Sequence, residues 1–126
     1  MADADNKQVV LDWYEVAFVN KDPETAADRY MGPEYKQHNP EVPDGLDAFK
    51  GAIGGMHGQF PDFSTDIKRV LVDGDLVAIH HHVKMTPDER GSSVVDIMRI
   101  ENGRIVEHWD IIQPVPETAA NDNTMF

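Results

Sequence analysis

The chain has no cysteine among its 126 residues, which excludes both a disulfide framework and a thiolate nucleophile. Cations are scarce: 11 Lys and Arg stand against 23 Asp and Glu, a formal net charge of -12. Nucleic acid needs clustered Lys and Arg to neutralise its phosphates, so it is not an expected partner, and an anionic membrane surface is disfavoured for the same reason. No apolar run approaches the ~20 residues required to span a bilayer. The acidic start, Met1-Ala2-Asp3-Ala4-Asp5-Asn6, lacks the basic and apolar regions of a signal peptide, and a cytoplasmic location is expected. There is no Gly-x-Ser-x-Gly, no phosphate-cradling glycine loop and no dinucleotide fingerprint, so no cofactor is expected. None of the lysines falls at an evidently buried position, which weakens a Schiff-base mechanism. Acid–base chemistry by Asp and His remains.

What is present reads as one domain, residues 1–126, with 40% apolar and 27% charged residues. Residues from about Asn6 to Asn20 show helical spacing of Val10, Tyr14, Ala17 and Phe18, with Trp13 beside them. Asp22-Pro23 reads as an N-cap and first helical position, opening a second helix through Tyr30 that Gly32-Pro33 ends. A polar loop, Tyr35-Lys36-Gln37-His38-Asn39-Pro40, follows. Leu46, Phe49, Ile53 and Met56 mark a third helix, whose glycines Gly51, Gly54, Gly55 and Gly58 predict close packing against a neighbour. From Phe63 the period changes to 2. Strands are expected over Ser64–Val72 and Leu76–Met85, then in a hairpin running to Ile112 or Gln113, with a weakly structured tail over 114–126. Helices followed by a strand meander make an α+β fold, the helices on one face of a curved antiparallel sheet.

The stretch from Val95 to Asp110 holds the most chemistry. Apolar runs flank Asn102-Gly103, a hairpin signature, yet carry Asp96, His108 and Asp110 where a structural strand would place Val or Ile. A buried carboxylate is costly unless paired or neutralised, so these positions mark a candidate site. A two-residue turn would put Asp96 opposite Trp109, on the other face from Asp110. A three-residue loop with a bulge at Gly103 would put Asp96 opposite Asp110 and Met98 opposite His108. We favour the second register because it gathers the polar groups on one face.

On the strand Leu76–Met85, His80 and His82 share one face while Ile79, His81 and Val83 share the other. His80 and His82 are expected to line a cavity; solvent exposure is the plain alternative, above all for His81. His-x-His on a strand can also hold a metal. Gly74, His80 and His82 fit the opening of the cupin pattern, but Met85-Thr86-Pro87 stand where its Glu belongs and no second His motif follows. Trp13 and Tyr14 read first as core and second as a platform for a ligand. Trp109 alternates out of phase with His108 and Asp110, which assigns it to packing or a subunit interface.

Tyr35-x-Gln37-His38-Asn39-Pro40, Gly74-Asp75-Leu76-Val77-Ala78-Ile79-His80, Val95-Asp96-Ile97-x-Arg99 and Asn102 through Asp110 together resemble the SnoaL-like polyketide cyclases. That group lies within the nuclear transport factor 2-like, or ketosteroid-isomerase-like, superfamily, and the resemblance runs from the first helix to Gln113-Pro114 and into the tail. It implies a cone-shaped α+β barrel, a bent sheet around three helices with a pocket at the wide end, and a homodimer through the convex sheet face. Asp110 matches the acid/base of the cyclases' intramolecular aldol condensation, whereas Asp96 stands where they carry a His across the hairpin. Two adjacent carboxylates would share a proton, leaving one base and one acid. The expectation is a cofactor-independent enzyme acting on a small apolar carbonyl compound through an enolate, as aldol-type cyclase, lyase or isomerase. Asp110 would be the base and Asp96 its coupled partner. His80, His82 and His108 would hydrogen-bond the enolate, His38 would sit at the mouth, and Tyr35, Gln37, Tyr14 and Trp13 would contact substrate. The alternatives are a non-catalytic small-molecule-binding module and a metal-dependent enzyme using His80 and His82.

Overall fold

Residues 3–126 are described by the structure, a computed structural model; Met1 and Ala2, part of the acidic start, lie outside the described residues. The first helix, α1 (Asp3–Tyr14), runs into a π-helical turn at Glu15–Val19. Asp22 then caps α2 (Pro23–Tyr30), accepting the Thr25 N–H at 3.1 Å. The expected polar loop is in part a strand, β1 (Met31–Gln37), followed by α3 (Leu46–Gln59). Four long strands complete the chain: β2 (Ser64–Asp73), β3 (Leu76–Lys84), β4 (Ser92–Glu101) and β5 (Arg104–Pro114). Their order is β1-β5-β4-β3-β2, antiparallel except where β1 runs parallel to β5. This is an α+β fold, three helices against a curved, mostly antiparallel sheet. No helix among the described residues is long and apolar enough to cross a membrane.

Alternation divides the sheet. Val77, Ile79, Met98, Ile100 and Ile105 turn inward to Val10, Trp13, Tyr14 and Phe49 and form the core. The inward phase on β3 is thus that of Val77 and Ile79, which carries His81 inside and sends His80 and His82 to the outer face. Beyond Pro114 the tail has no helix or strand, and it returns so that Phe126 stacks 4.1 Å from His82 and 5.8 Å from His80.

The hairpin has the partners expected of the favoured register, by a different device. Asn102 (φ 53) and Gly103 (φ 76) form a two-residue turn, and Glu101 pairs with Arg104. The register then shifts between Arg99 and Ile100, leaving Val106 as the extra residue of β5, so that Met98 faces His108 and Asp96 faces Asp110. Gly32 on β1 makes room for this bulge: a Cβ there would stand 2.9 Å from Val106 Cγ1.

The third helix corrects another expectation. A Cβ at Gly51, Gly55 or Gly58 would meet nothing within 4 Å, and only Gly54 approaches a neighbour, Pro23 at 3.9 Å. These glycines weaken the helix without serving contact. Gly51→Ala and Gly55→Ala should each raise stability by roughly 1 kcal/mol. A urea midpoint that stays put or falls in both variants would show that the helix needs its glycines.

Candidate functional site

A cavity of about 320 Å³ opens between the inner face of the sheet, the π turn and α3. Its walls are mostly apolar, with Trp13, Phe18, Phe49, Met56, Phe63 and Val94 among them, and one end is polar. The polar end is built by four strands. From β4 comes Asp96, from β5 His108 and Asp110, from β3 His81, while Tyr35, Gln37 and Asn39 enter from β1 and the residues just after it.

Asp96 is 8% exposed and lies between two imidazoles. His108 Nε2 stands 2.8 Å from its Oδ1, and His81 Nε2 stands 2.5 Å from its Oδ2. Burial pushes the carboxyl up, but the hydrogen bonds and charge of His108 and His81 together outweigh it and hold Asp96 below the usual carboxylate range, at about 2. His81 Nδ1 is met by the Tyr14 hydroxyl at 2.6 Å and the Thr65 hydroxyl at 2.8 Å. On the other side His108 Nδ1 is 2.7 Å from Gln37 Oε1. The Gln37 amide is oriented without ambiguity, since Oε1 also accepts the backbone N–H of Asn39 at 3.1 Å. Its Nε2 donates to the Tyr35 hydroxyl at 3.2 Å. His108 Nδ1 therefore carries a proton.

Asp110 is served separately. Asn39 Nδ2 lies 3.0 Å from both carboxylate oxygens, and Asn39 Oδ1 accepts the Glu41 N–H at 2.9 Å, which fixes the amide's orientation. The carboxylates do not form the proton-sharing pair expected, because each has its own donors. One oxygen of each lies within 4.8 Å of the other and of a His108 nitrogen, a spacing a cation could bridge. Both oxygens of Asp96 and both nitrogens of His108, however, already have hydrogen-bond partners within the protein.

Hydrogen-bonding capacity can be counted across this network. Both nitrogens of His108 and of His81 are engaged, as are both Asp96 oxygens. Capacity remains on Asp110, whose two oxygens share a single donor nitrogen, and on Tyr35, whose hydroxyl accepts from Gln37 and has no acceptor for its own proton among the described residues. Burial, then the charge of Asp96, pushes the Tyr35 hydroxyl above the usual tyrosine range, against the Gln37 hydrogen bond, so it keeps that proton. Trp13 Nε1 also lacks a partner but is sealed from solvent.

Of the residues singled out from sequence, Asp96, His108, Asp110, Tyr35, Gln37 and Trp13 line the cavity, and Tyr14 stands behind His81. Three others lie on the outer face. His80 lies on the outer face with Nε2 2.8 Å from Ser93 Oγ and its other nitrogen against Arg69. His82 is there too, donating from Nε2 to the Arg90 carbonyl at 2.8 Å, so the proposed metal pair faces away from the cavity. His38 stacks on Trp109 at 4.7 Å and meets Glu107 Oε2 at 2.7 Å, also on the outer face. His81 and Asn39 were missed. The alternation of Val77, Ile79, His81 and Val83 already contained the first; nothing in the spacing of Asn39 and Pro40 distinguished the second from an ordinary turn.

The fold recurs in solved structures. TsrD from Streptomyces laurentii is 24% identical with a TM-score of 0.73, covering 89% of this chain and 90% of that one. IdmH from Streptomyces antibioticus, a candidate polyketide cyclase, is 23% identical with a TM-score of 0.68, covering 85% and 91%. A nuclear transport factor 2-like protein of unknown function from Mesorhizobium loti is 23% identical with a TM-score of 0.73, covering 88% and 93%. No curated protein matches the chain. The sequence profile of the SnoaL-like domain matches residues 10–108, from α1 through the His108 that pairs with Asp96, and the chain belongs to that family.

Proposed function

We propose that the protein is a cofactor-independent acid–base enzyme acting on a small, largely apolar carbonyl compound through an enolate. One observation carries this reading: at the polar end of an apolar cavity, an acceptor (Asp110) and a donor (Tyr35 O–H) are left with unspent capacity, while both nitrogens of His81 and His108 and both oxygens of Asp96 already have partners. Tyr35 and Asp110 line the same cavity, near enough for the Asp110 charge to act on the Tyr35 hydroxyl, so a carbonyl oxygen held by Tyr35 would present its α-carbon to Asp110. The base takes the α-proton as the hydroxyl stabilises the charge that grows on oxygen. Asn39 keeps the carboxylate plane fixed, which limits the reorientation needed before transfer. Attack of the enolate on a second carbonyl, loss of a β-substituent or reprotonation elsewhere would give cyclase, lyase or isomerase outcomes. The likeness to IdmH supports the first.

The test is exchange of α-protons for deuterium in heavy water, followed by NMR over a series of small apolar ketones and 1,3-diketones. Protein-dependent exchange supports the enolate. Binding of the same compounds with no exchange in any of them would favour a ligand-binding module. We also propose a homodimer through the outer sheet face, where Ile111 and Leu71 are 66% and 64% exposed. Sedimentation at twice 14.1 kDa is the expected result, and a monomer at all concentrations would remove it.

A further inference from the structure

The triad His81–Asp96–His108 crosses the inner sheet face from β3 to β5, and its two ends are wired differently. At the β5 end His108 Nδ1 faces a pure acceptor, Gln37 Oε1, at 2.7 Å. At the β3 end His81 Nδ1 faces the hydroxyls of Tyr14 at 2.6 Å and Thr65 at 2.8 Å, which also hydrogen-bond one another and so leave one hydroxyl proton free for the ring. A nitrogen facing a carbonyl oxygen must carry hydrogen, whereas one facing hydroxyl donors can go without. Between them Asp96 needs donors on both oxygens. His81 as the Nε2–H tautomer satisfies one oxygen while neutral; His108 satisfies the other only if protonated on both nitrogens.

We propose that Tyr14 and Thr65 are positioning residues that set the charge of the site: with Thr65 donating to Tyr14 and Tyr14 donating to His81 Nδ1 they hold His81 neutral, and the one proton the triad shares resides on His108, beside Asp110. This inference rests on the assignment of Asp110 and Tyr35 as base and donor and gives the triad its part in that reaction. Without the imidazolium, the polar end would hold two carboxylates and no counter-charge, and once Asp110 has taken the proton the enolate would still face the charge of Asp96. With it, Asp96 and His108 cancel, and proton transfer to Asp110 leaves the enolate as the one net charge, next to a cation. His108 then acts through its field and not through a hydrogen bond to substrate, consistent with both its nitrogens being spent.

The other ionisable side chains turned to the triad are Tyr14 from α1, Tyr35 from β1 and Asp110 from β5. Burial first, and then the charge of Asp96, pushes both tyrosine hydroxyls above their usual range, opposed by hydrogen bonds from Thr65 and Gln37 respectively. Tyr14 therefore enters the arrangement as a donor. Its ring also meets His81 edge-on at 5.2 Å, which fixes the imidazole plane.

Imidazole nitrogen NMR on the free protein tests this without any turnover. Between pH 6 and 7, His108 should show both nitrogens protonated and His81 only Nε2. In the double variant Tyr14→Phe/Thr65→Val, His81 loses this hydroxyl donor and competes for the proton, so the two rings should move to similar, partial protonation. His81→Gln keeps an N–H for Asp96 and should leave His108 doubly protonated. The affinity for 4-nitrophenolate, an enolate mimic whose ionisation is read from its absorption, should fall roughly tenfold in the double variant and less in His81→Gln. A parent protein with His81 doubly protonated, or with His108 protonated on Nδ1 alone, overturns the proposal, as does an asymmetry that survives in the folded double variant. The ring signals do not depend on Asp110, whose role is judged separately from Asp110→Asn, so the two ideas can fail independently.

Discussion

Asp110→Asn should lower turnover of an enolisable substrate by roughly 10²–10⁴-fold, the range a positioned general base supplies. The substitution is nearly isosteric and leaves the cavity shape intact, but an amide oxygen is a far weaker base than a carboxylate. The same variant should bind 4-nitrophenolate more tightly than the parent. A phenolate resembles the enolate, which exists only after Asp110 has taken the proton and become neutral. In the resting protein the phenolate meets a carboxylate of its own sign, whereas the neutral amide resembles the protonated acid. Lost rate with gained affinity separates a base from a residue that merely holds the ligand, since a holding residue would lose both. Asn39 sets a limit on the gain. Its Nδ2 now stands 3.0 Å from both oxygens, and one of them would become a second N–H donor that the Asn39 amide must turn away from. Unchanged exchange rates in Asp110→Asn would end the assignment, whatever the phenolate does.

Why the sequence led to Asp110 and Asp96 but not to His81 has a physical answer. A period of two fixes which residues share a face but not which face is buried; that depends on what the other strands present. On β3 both phases looked plausible, His80 and His82 with Ala78 against His81 with Ile79 and Val83. Val77 and Ile79, both fully buried, decide for the second, and the pairing of Ile79 with Asp96 carries His81 toward the carboxylate. In the hairpin the sequence held the right partners for a wrong reason. The extra residue sits at Val106, where β1 passes and Gly32 leaves space, and no turn signal can report a bulge caused by a neighbouring strand. That strand, β1, was itself hidden. Gly32-Pro33 reads as a helix stop, and an edge strand with one partner need not show clean alternation. His38 followed from the same omission: once β1 is a strand continuing toward Asn39, Gln37 and Asn39 point to the cavity and His38 between them points away, onto Trp109.

Asp96→Leu should destabilise the protein by roughly 3–5 kcal/mol at pH 7, since it strips the common acceptor from two buried imidazoles. Asp96→Asn should cost less, about 1–2 kcal/mol, because the network can absorb it. His81 Nε2–H can donate to the new amide oxygen. His108, already protonated on Nδ1 toward Gln37, can accept the new N–H on Nε2 once it gives up its second proton. The price is the imidazolium, so this variant should fold while losing activity. Acid separates the two roles further. The folded Asp96 value, about 2, lies below the ordinary 3.8, so the carboxylate's contribution is present above pH 4 and lost as pH falls through the folded value. Between pH 5 and 2 the parent should lose up to roughly 2 kcal/mol more than Asp96→Asn, the other carboxylates cancelling and the difference being narrowed by the acid cost of protonating the variant's neutral His108. Urea unfolding at both pH values measures the difference. Parallel acid curves for parent and variant would mean that Asp96 is not the anion between the two imidazoles, and a leucine variant as stable as the asparagine one would mean that the imidazoles do not depend on it.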